Sequence, residues 1–319
     1  MSRHPNSTVG GQAVIEGVMM RAPAGWAVAV RTPEGSIVTM CEELPRLSER
    51  KALARMPMVR GVLVLWESLS LGMRALTWSA EKAVGEEEEP ITKWQMALSI
   101  LVAIAAVAVL FIGAPLLTAK WLAGDSTLGL NIVEGVIRII IFVGYIWAIG
   151  RSAEIKRVFQ YHGAEHKTIH AFEAGDPLVT PEIQKYSPAH PRCGTSFLLL
   201  VVLASIVVFS FVPHTVGTFW LVVSRLLLIP VIAGVSYEIL RASGLRSDAL
   251  FGRIVAAPGL WLQKLTTGEP DDDQVEVAVA SLLAALDDEA VEEVRARGDI
   301  VAGALEAYDA GCVEEPADG

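Results

Sequence analysis

Residues Met96 to Ala119 read MALSILVAIAAVAVLFIGAPLLTA, a run without a single charged side chain. At a helical rise of about 1.5 Å per residue, it is long enough to cross a hydrocarbon core of about 30 Å. Ile132–Gly150, Phe197–Val212 and Phe219–Leu240 have the same character. Phe197–Val212 is short for a span, and Thr195 and Ser196 or a turn at Pro213 would complete it. With 52% hydrophobic and 19% charged residues, the 319-residue chain is more apolar than an ordinary soluble domain. The expected fold is mainly α: a polytopic membrane protein with about four transmembrane helices. Its membrane domain covers 94–267, between an N-terminal cytoplasmic segment, 1–93, and an acidic helical tail, 268–319.

Basic residues near the ends of spans are retained on the cytoplasmic side. Arg46, Arg50, Lys51, Arg55, Arg60, Arg74, Lys82 and Lys93 precede the first run. Arg151, Lys156, Arg157, Lys167, Lys185 and Arg192 lie between the second and third, and Arg241, Arg246, Arg253 and Lys264 follow the fourth. The opposite loops hold one basic residue between Lys120 and Asn131 and none between Val212 and Gly217. This asymmetry predicts a multi-pass protein with both termini cytoplasmic. The N-terminus lacks the succession of a cleaved signal peptide. Cys41, Cys193 and Cys312 all fall on the reducing side, so no disulfide is expected.

Outside the membrane, Gly10–Arg21 mixes flexible glycines with apolar residues. Trp26–Arg31 and Ile37–Met40 read as a small β-hairpin joined by the Thr32-Pro33-Glu34-Gly35 turn. Pro57–Lys82 reads as a helix with Val62, Leu65, Leu69, Met73 and Leu76 along one side, interrupted by Glu67 and Arg74. Its expected place is the membrane interface, with an ordinary packed helix as the alternative. Residues 269–319 hold 16 acidic and two basic side chains, against a net charge of −10 for the whole chain. Asp271 or its neighbours can cap a helix through Ala285, where Val275, Val279, Leu282, Leu283 and Leu286 make a stripe expected to dock on the rest of the protein, with a dedicated partner site as the alternative. No stripe of basic and aromatic residues suggests nucleic-acid binding.

The segment 151–196 carries four of the six histidines. In Tyr161-His162-Gly163-Ala164-Glu165-His166-Lys167, His162 and His166 share one helix face, with Glu165 a step to the side. That H-x-x-E-H order is the one found in inverted zinc peptidases. His190-Pro191-Arg192-Cys193 offers a further imidazole and thiolate, both accepted by zinc in a tetrahedral set. His162, His166, His190 and Cys193 are therefore the candidate ligands of a divalent metal, zinc by donor type, and Glu165 the candidate catalytic base. With an open position, Glu165 would take a proton from water. With four protein ligands the site is closed, and Glu165 would instead orient a histidine. Alternatively, His162, His166 and His170 form the polar face of a helical extension of the second run.

Lys167, Arg192 and Arg151 suit either a phosphate or carboxylate ligand or plain positive-inside anchoring. Glu238, in the fourth run, needs a partner: an arginine, or the metal. Arg138 and Arg225 each sit about seven residues into a run, where snorkelling and an Arg138–Glu134 pair accommodate them. Pro115 and Pro230 are candidate kinks.

In His162–Thr168, His190–Phe197, Gly10–Arg21, and Arg60-Gly61-Val62 preceding Glu67-Ser68-Leu69, the chain resembles the YqhQ-like bacterial membrane proteins. These form a family of unknown function often labelled predicted metal-dependent enzymes. The resemblance runs from about residue 10 to residue 285. It implies a bacterial cytoplasmic (inner) membrane protein with about four spans, and supplies no substrate. Two functions are open: a metal-dependent hydrolase acting on a lipid-linked or membrane-proximal substrate, or a noncatalytic scaffold or sensor built on a structural metal or hydrogen-bond cluster.

Overall fold

The computed structural model describes residues 9–44, 56–84, 92–123, 127–212, 217–244 and 249–313. Arg46, Arg50, Lys51, Arg55 and Arg246 of the positive-inside reading, and the turn at Pro213, lie outside the described residues.

The N-terminal hairpin is larger than expected. β1 (Gly10–Val14), β2 (Gly17–Arg21), β3 (Gly25–Arg31) and β4 (Ile37–Glu43) form an antiparallel meander in that order. Gly10–Arg21 is itself a hairpin, turning at Ile15 and Glu16, where Glu16 takes a φ of 51°. The Thr32–Gly35 turn forms as read, closed by the Gly35 N–H donating to the Thr32 carbonyl at 2.9 Å. Successive strand residues point to opposite faces, and β3 sorts its side chains by size accordingly. Trp26, Val28 and Val30 pack with Leu71, Ala75 and Trp78 of α1 (Val59–Val84). Ala27 and Ala29 face the other way, where their small side chains admit α5 (Ala153–Ala174) and α11 (Asp272–Ala285).

Helix α1 packs on the sheet, the alternative expected for its segment. Its inner face is buried beneath the sheet, while Val62, Leu69, Met73 and Leu76 of the apolar stripe are exposed on the other side. Arg74 leaves that stripe to pair with Glu42 of β4.

Among the described residues, two helical stretches are long and apolar enough to cross a membrane. The first, Ala97–Leu122, runs through α2 (Lys93–Ala108), a π-helical turn at Val109–Gly113, and α3 (Ala114–Ala123). The second, Gly129–Ile149, belongs to α4 (Thr127–Ile149). A third arises if α8 (Gly217–Leu227) and α9 (Ile229–Gly244), bent by 40° at the break before Pro230, make one span. The remaining expected span, α7 (Gly194–Ser210), is apolar but shorter; it is capped at its start by Cys193.

Inside this bundle, snorkelling is not the arrangement adopted by the arginines. Arg138 and Arg225 are both buried, Arg225 completely, and both bind Glu134, at 2.5 and 2.9 Å. Arg138 also donates to the Ser205 hydroxyl of α7 and, at 3.0 Å, to the Phe111 carbonyl. The local reason is Pro115, which has no N–H to offer the carbonyl four residues earlier; the Arg138 guanidinium supplies the missing donor. Phe209 lies under both guanidinium groups.

After α10 (Leu250–Thr266), Asp271 and Gln274 form a reciprocal capping box at the start of α11. Val275, Val279, Leu282 and Leu283 are buried against the sheet, as the stripe predicted. Helices α12 (Asp288–Arg297) and α13 (Ala302–Asp309) follow, and the Val313 N–H donates to the Thr39 carbonyl on β4. That return brings Cys312 to Cys41, and the two form a disulfide. The expectation of free cysteines is corrected here: compartment reasoning concerned the solvent, whereas the pairing comes from docking of the tail.

Candidate metal centre

Helix α5 is the frame of the site. It ends at Gly175, whose φ of 81° is the left-handed geometry of a helix C-cap. Unlike a solvated polar face, its residues from Tyr161 to Ile169, His162 excepted, are buried. Gly163 explains part of this closeness. A Cβ there would lie 1.9 Å from the Gly268 carbonyl, so only glycine lets the chain after α10 press on α5. The Gly268 N–H donates to the Phe159 carbonyl at 2.7 Å, completing the contact.

Three candidate ligands converge. His162, His166 and Cys193 each turn one ligand atom toward the others, all within 4.8 Å of one another. The two histidines are oriented alike. His162 Nδ1–H donates to the Thr266 carbonyl at 2.8 Å, and His166 Nδ1–H to the Pro188 carbonyl at 2.6 Å. A carbonyl only accepts, so these bonds fix the tautomer and put the lone pair of each ring on Nε2, the arrangement common to metal-bound histidines. His162 Nε2 lies 3.1 Å from Cys193 Sγ. Tetrahedral zinc places such ligand atoms about 3.5 Å apart. Burial and the neighbouring His162 hold His166 neutral, with a pKa of about 2. Cys193 caps α7, receiving the Thr195 N–H at 3.4 Å. Burial pushes its thiol up, while the bonds from Thr195 and the helix N-terminus favour the thiolate.

His190 stands one ring away from this group. Its centroid is 5.6 Å from that of His166 and 4.5 Å from that of His170. Its Nδ1 accepts the Arg192 N–H at 3.3 Å, and its Nε2 faces Glu173 at 3.9 Å. Both nitrogens therefore have other partners. His170 donates from Nε2 to the Ala189 carbonyl and stacks on Tyr186. Glu238 joins Arg60, accepting from its Nε at 2.7 Å, which is the arginine alternative for that carboxylate.

Glu165 lies beneath β1, within electrostatic reach of His162 and Cys193 but outside the group of three converging ligand atoms. It is 3% exposed, one carboxylate oxygen has no hydrogen-bond partner, and burial pushes its pKa up to about 8, with the Cys193 charge adding to the rise. Gly11 of β1 lies directly over it: a Cβ at Gly11 would come within 3.2 Å of the Glu165 carboxyl carbon and 2.4 Å of the Met19 carbonyl. The positive charges disperse to separate partners. Lys167 is buried against Gln184 and Glu269, Arg192 pairs with Glu173, and Arg151 covers the Trp147 ring.

Sequence reasoning missed Thr266 and Gln263, which come from α10. Thr266 acts through a backbone carbonyl, which any residue would supply. Gln263 holds the His190 backbone from both sides, accepting its N–H at 2.8 Å and donating to its carbonyl at 3.0 Å.

The donor set fits a zinc-type ion: two imidazoles of fixed tautomer and one cysteine sulfur. Comparison with known proteins sets this chemistry in a family. The chain is 35% identical over 312 residues to a protein of Bacillus subtilis (strain 168) described as "Uncharacterized protein YqhQ", covering 92% of this chain and 97% of that protein. No solved structure matches it. The family model described as "Protein of unknown function (DUF1385)" matches residues 56–288, and the chain belongs to that family.

Proposed function

We propose that the protein is a membrane-embedded metal-dependent hydrolase whose site faces the cytoplasmic side of a bacterial inner membrane. The observation that carries this reading is the convergence of His162, His166 and Cys193, with one carboxylate oxygen of Glu165, on the same helix as the histidines, left without a partner. His162, His166 and Cys193 would hold the ion with three protein ligands, the number found in catalytic rather than structural zinc sites. A bound divalent ion, zinc by donor type, supplies the positive charge that activates water near neutral pH. Glu165 takes the proton that water gives up and returns it to the leaving group. Its buried surroundings keep the carboxyl a strong enough base to do so. Thr266 and Pro188 hold the two imidazoles in place through the reaction. His190 and Gln263 support the loop that carries Cys193.

Topology follows from the basic residues: four spans, with α7 and the α8–α9 pair completing the set, and both termini cytoplasmic. The substrate is lipid-linked or lies close to the membrane, because the ligands sit where α7 and α10 meet α5. The burial of His166, Glu165 and Cys193 favours a second reading, a closed structural metal in a scaffold or sensor.

Glu165→Gln separates the two. Catalysis requires that the variant keep its metal and fold yet fail to restore function in cells lacking the wild-type gene. Full restoration contradicts catalysis. Metal analysis of His162→Ala checks the premise, with occupancy expected to fall below about one-tenth equivalent.

A further inference from the structure

Helix α10 has two faces with different environments. Inward, Gly259 presses on Ser196 at the start of α7, where a Cβ would lie 2.1 Å from the serine hydroxyl oxygen. Leu262 packs with Phe142, Leu199 and Val202 of α4 and α7. The same face carries Gln263, which grips the His190 backbone, and Thr266, which fixes His162 Nδ1. Outward, Leu250, Ile254 and Trp261 are exposed, the last two by 60% and 53%. At 3.6 residues per turn these three project within about 40° of one another. Arg253 and Lys264, also exposed, both fall along one border of that face. An apolar centre with a cationic border is the pattern of a helix lying in a lipid interface, its charged tips reaching the phosphate layer. The bilayer is within reach, because the inner face of α10 packs on the membrane-crossing stretch Gly129–Ile149 and on the apolar α7.

We propose that α10 is a lipid-seated strut. The bilayer interface occupies its outer face, with lipid phosphates along the Arg253 and Lys264 border, and this contact keeps Thr266 and Gln263 in register with His162 and His190. Metal retention therefore depends on the lipid seat. That coupling rests on the metal reading given above; the seat itself does not.

Full-length protein in vesicles with dibrominated acyl chains tests both halves. The emission component lost on Trp261→Phe reports Trp261 alone. It is expected to fall by about half relative to unbrominated vesicles, since bromines quench indoles at membrane depth. An unquenched component overturns the seat. The coupling is read with Ile254→Gln/Trp261→Gln, for which zinc loss to a chelator should accelerate about tenfold, the low end of effects from groups that support ligands. Zinc loss at the wild-type rate, with Trp261 quenched in the parent, overturns the coupling. Wild-type protein that binds no zinc overturns the metal reading and the coupling together, while quenching still decides the seat. If the double variant does not fold, Trp261→Gln alone in the same chelator assay takes its place, with the same two outcomes.

Discussion

Two polar clusters lie about 18 Å apart along α7, the length of the twelve residues between Cys193 and Ser205, and they are completed differently. Around Glu134, both carboxylate oxygens are used by Arg138 and Arg225, and the guanidinium of Arg138 is spread over Glu134, Ser205 and the Phe111 carbonyl. The one loose end is a donor, the buried Nε of Arg225. Around Cys193 the loose end is an oxygen of Glu165, while two imidazoles and a sulfur bring ligand atoms within 4.8 Å of one another. Buried polar groups are expensive to leave unsatisfied. A cation would complete the second cluster and only worsen the first. One is a joint between helices, and the other is a receptacle.

The largest effect is expected where the joint is broken. Glu134→Gln leaves two buried guanidinium groups without their shared anion, a cost of about 3–5 kcal/mol. Thermal unfolding in detergent should show it. The zinc content of whatever fraction folds should not change. Equal stability would mean that the triad is no joint.

Breaking the receptacle should do the reverse. Cys193→Ser removes the sulfur of the proposed ligand set, and zinc affinity should drop by more than about a hundredfold with little change in helix content, measured by competition with a chromogenic chelator and by circular dichroism. Gly163→Ala is milder and sharper. Its Cβ must displace the Gly268 carbonyl and with it the segment that carries Thr266, so zinc should bind about tenfold more weakly with no ligand altered. Unchanged affinity would separate α10 from the site.

The smallest effect is expected far from both clusters. The tail is held by α11 and by the Val313–Thr39 backbone bond as well as by the disulfide. In reducing buffer, Cys312→Ser should therefore shift stability by less than about 1 kcal/mol, since no disulfide persists there to be lost. A melt with and without reductant reads this directly.

The sequence made some of this legible and hid the rest for physical reasons. His162 and His166 share a helix face because of spacing alone, and the α11 stripe follows from period, so both survive intact. The Glu134–Arg138 pair is likewise four residues apart. Its third member, Arg225, is 91 residues from Glu134, and no local pattern announces it. β1 and β2 were obscured by glycines that look flexible but stand where Gly11 must pass close to Met19 and Glu165. Cys41 and Cys312 meet across 271 residues through docking of the tail. Gln263 and Thr266 contribute an amide and a carbonyl, groups without a sequence signature.

Zinc-edge X-ray absorption of the full-length protein, purified in detergent without added chelator, tests the central claim most directly. About one zinc per chain is expected, with one sulfur at about 2.3 Å and nitrogen neighbours at about 2.0 Å, the sulfur lost in Cys193→Ser. Zinc below about one-tenth equivalent, or a zinc shell without sulfur, would contradict the account.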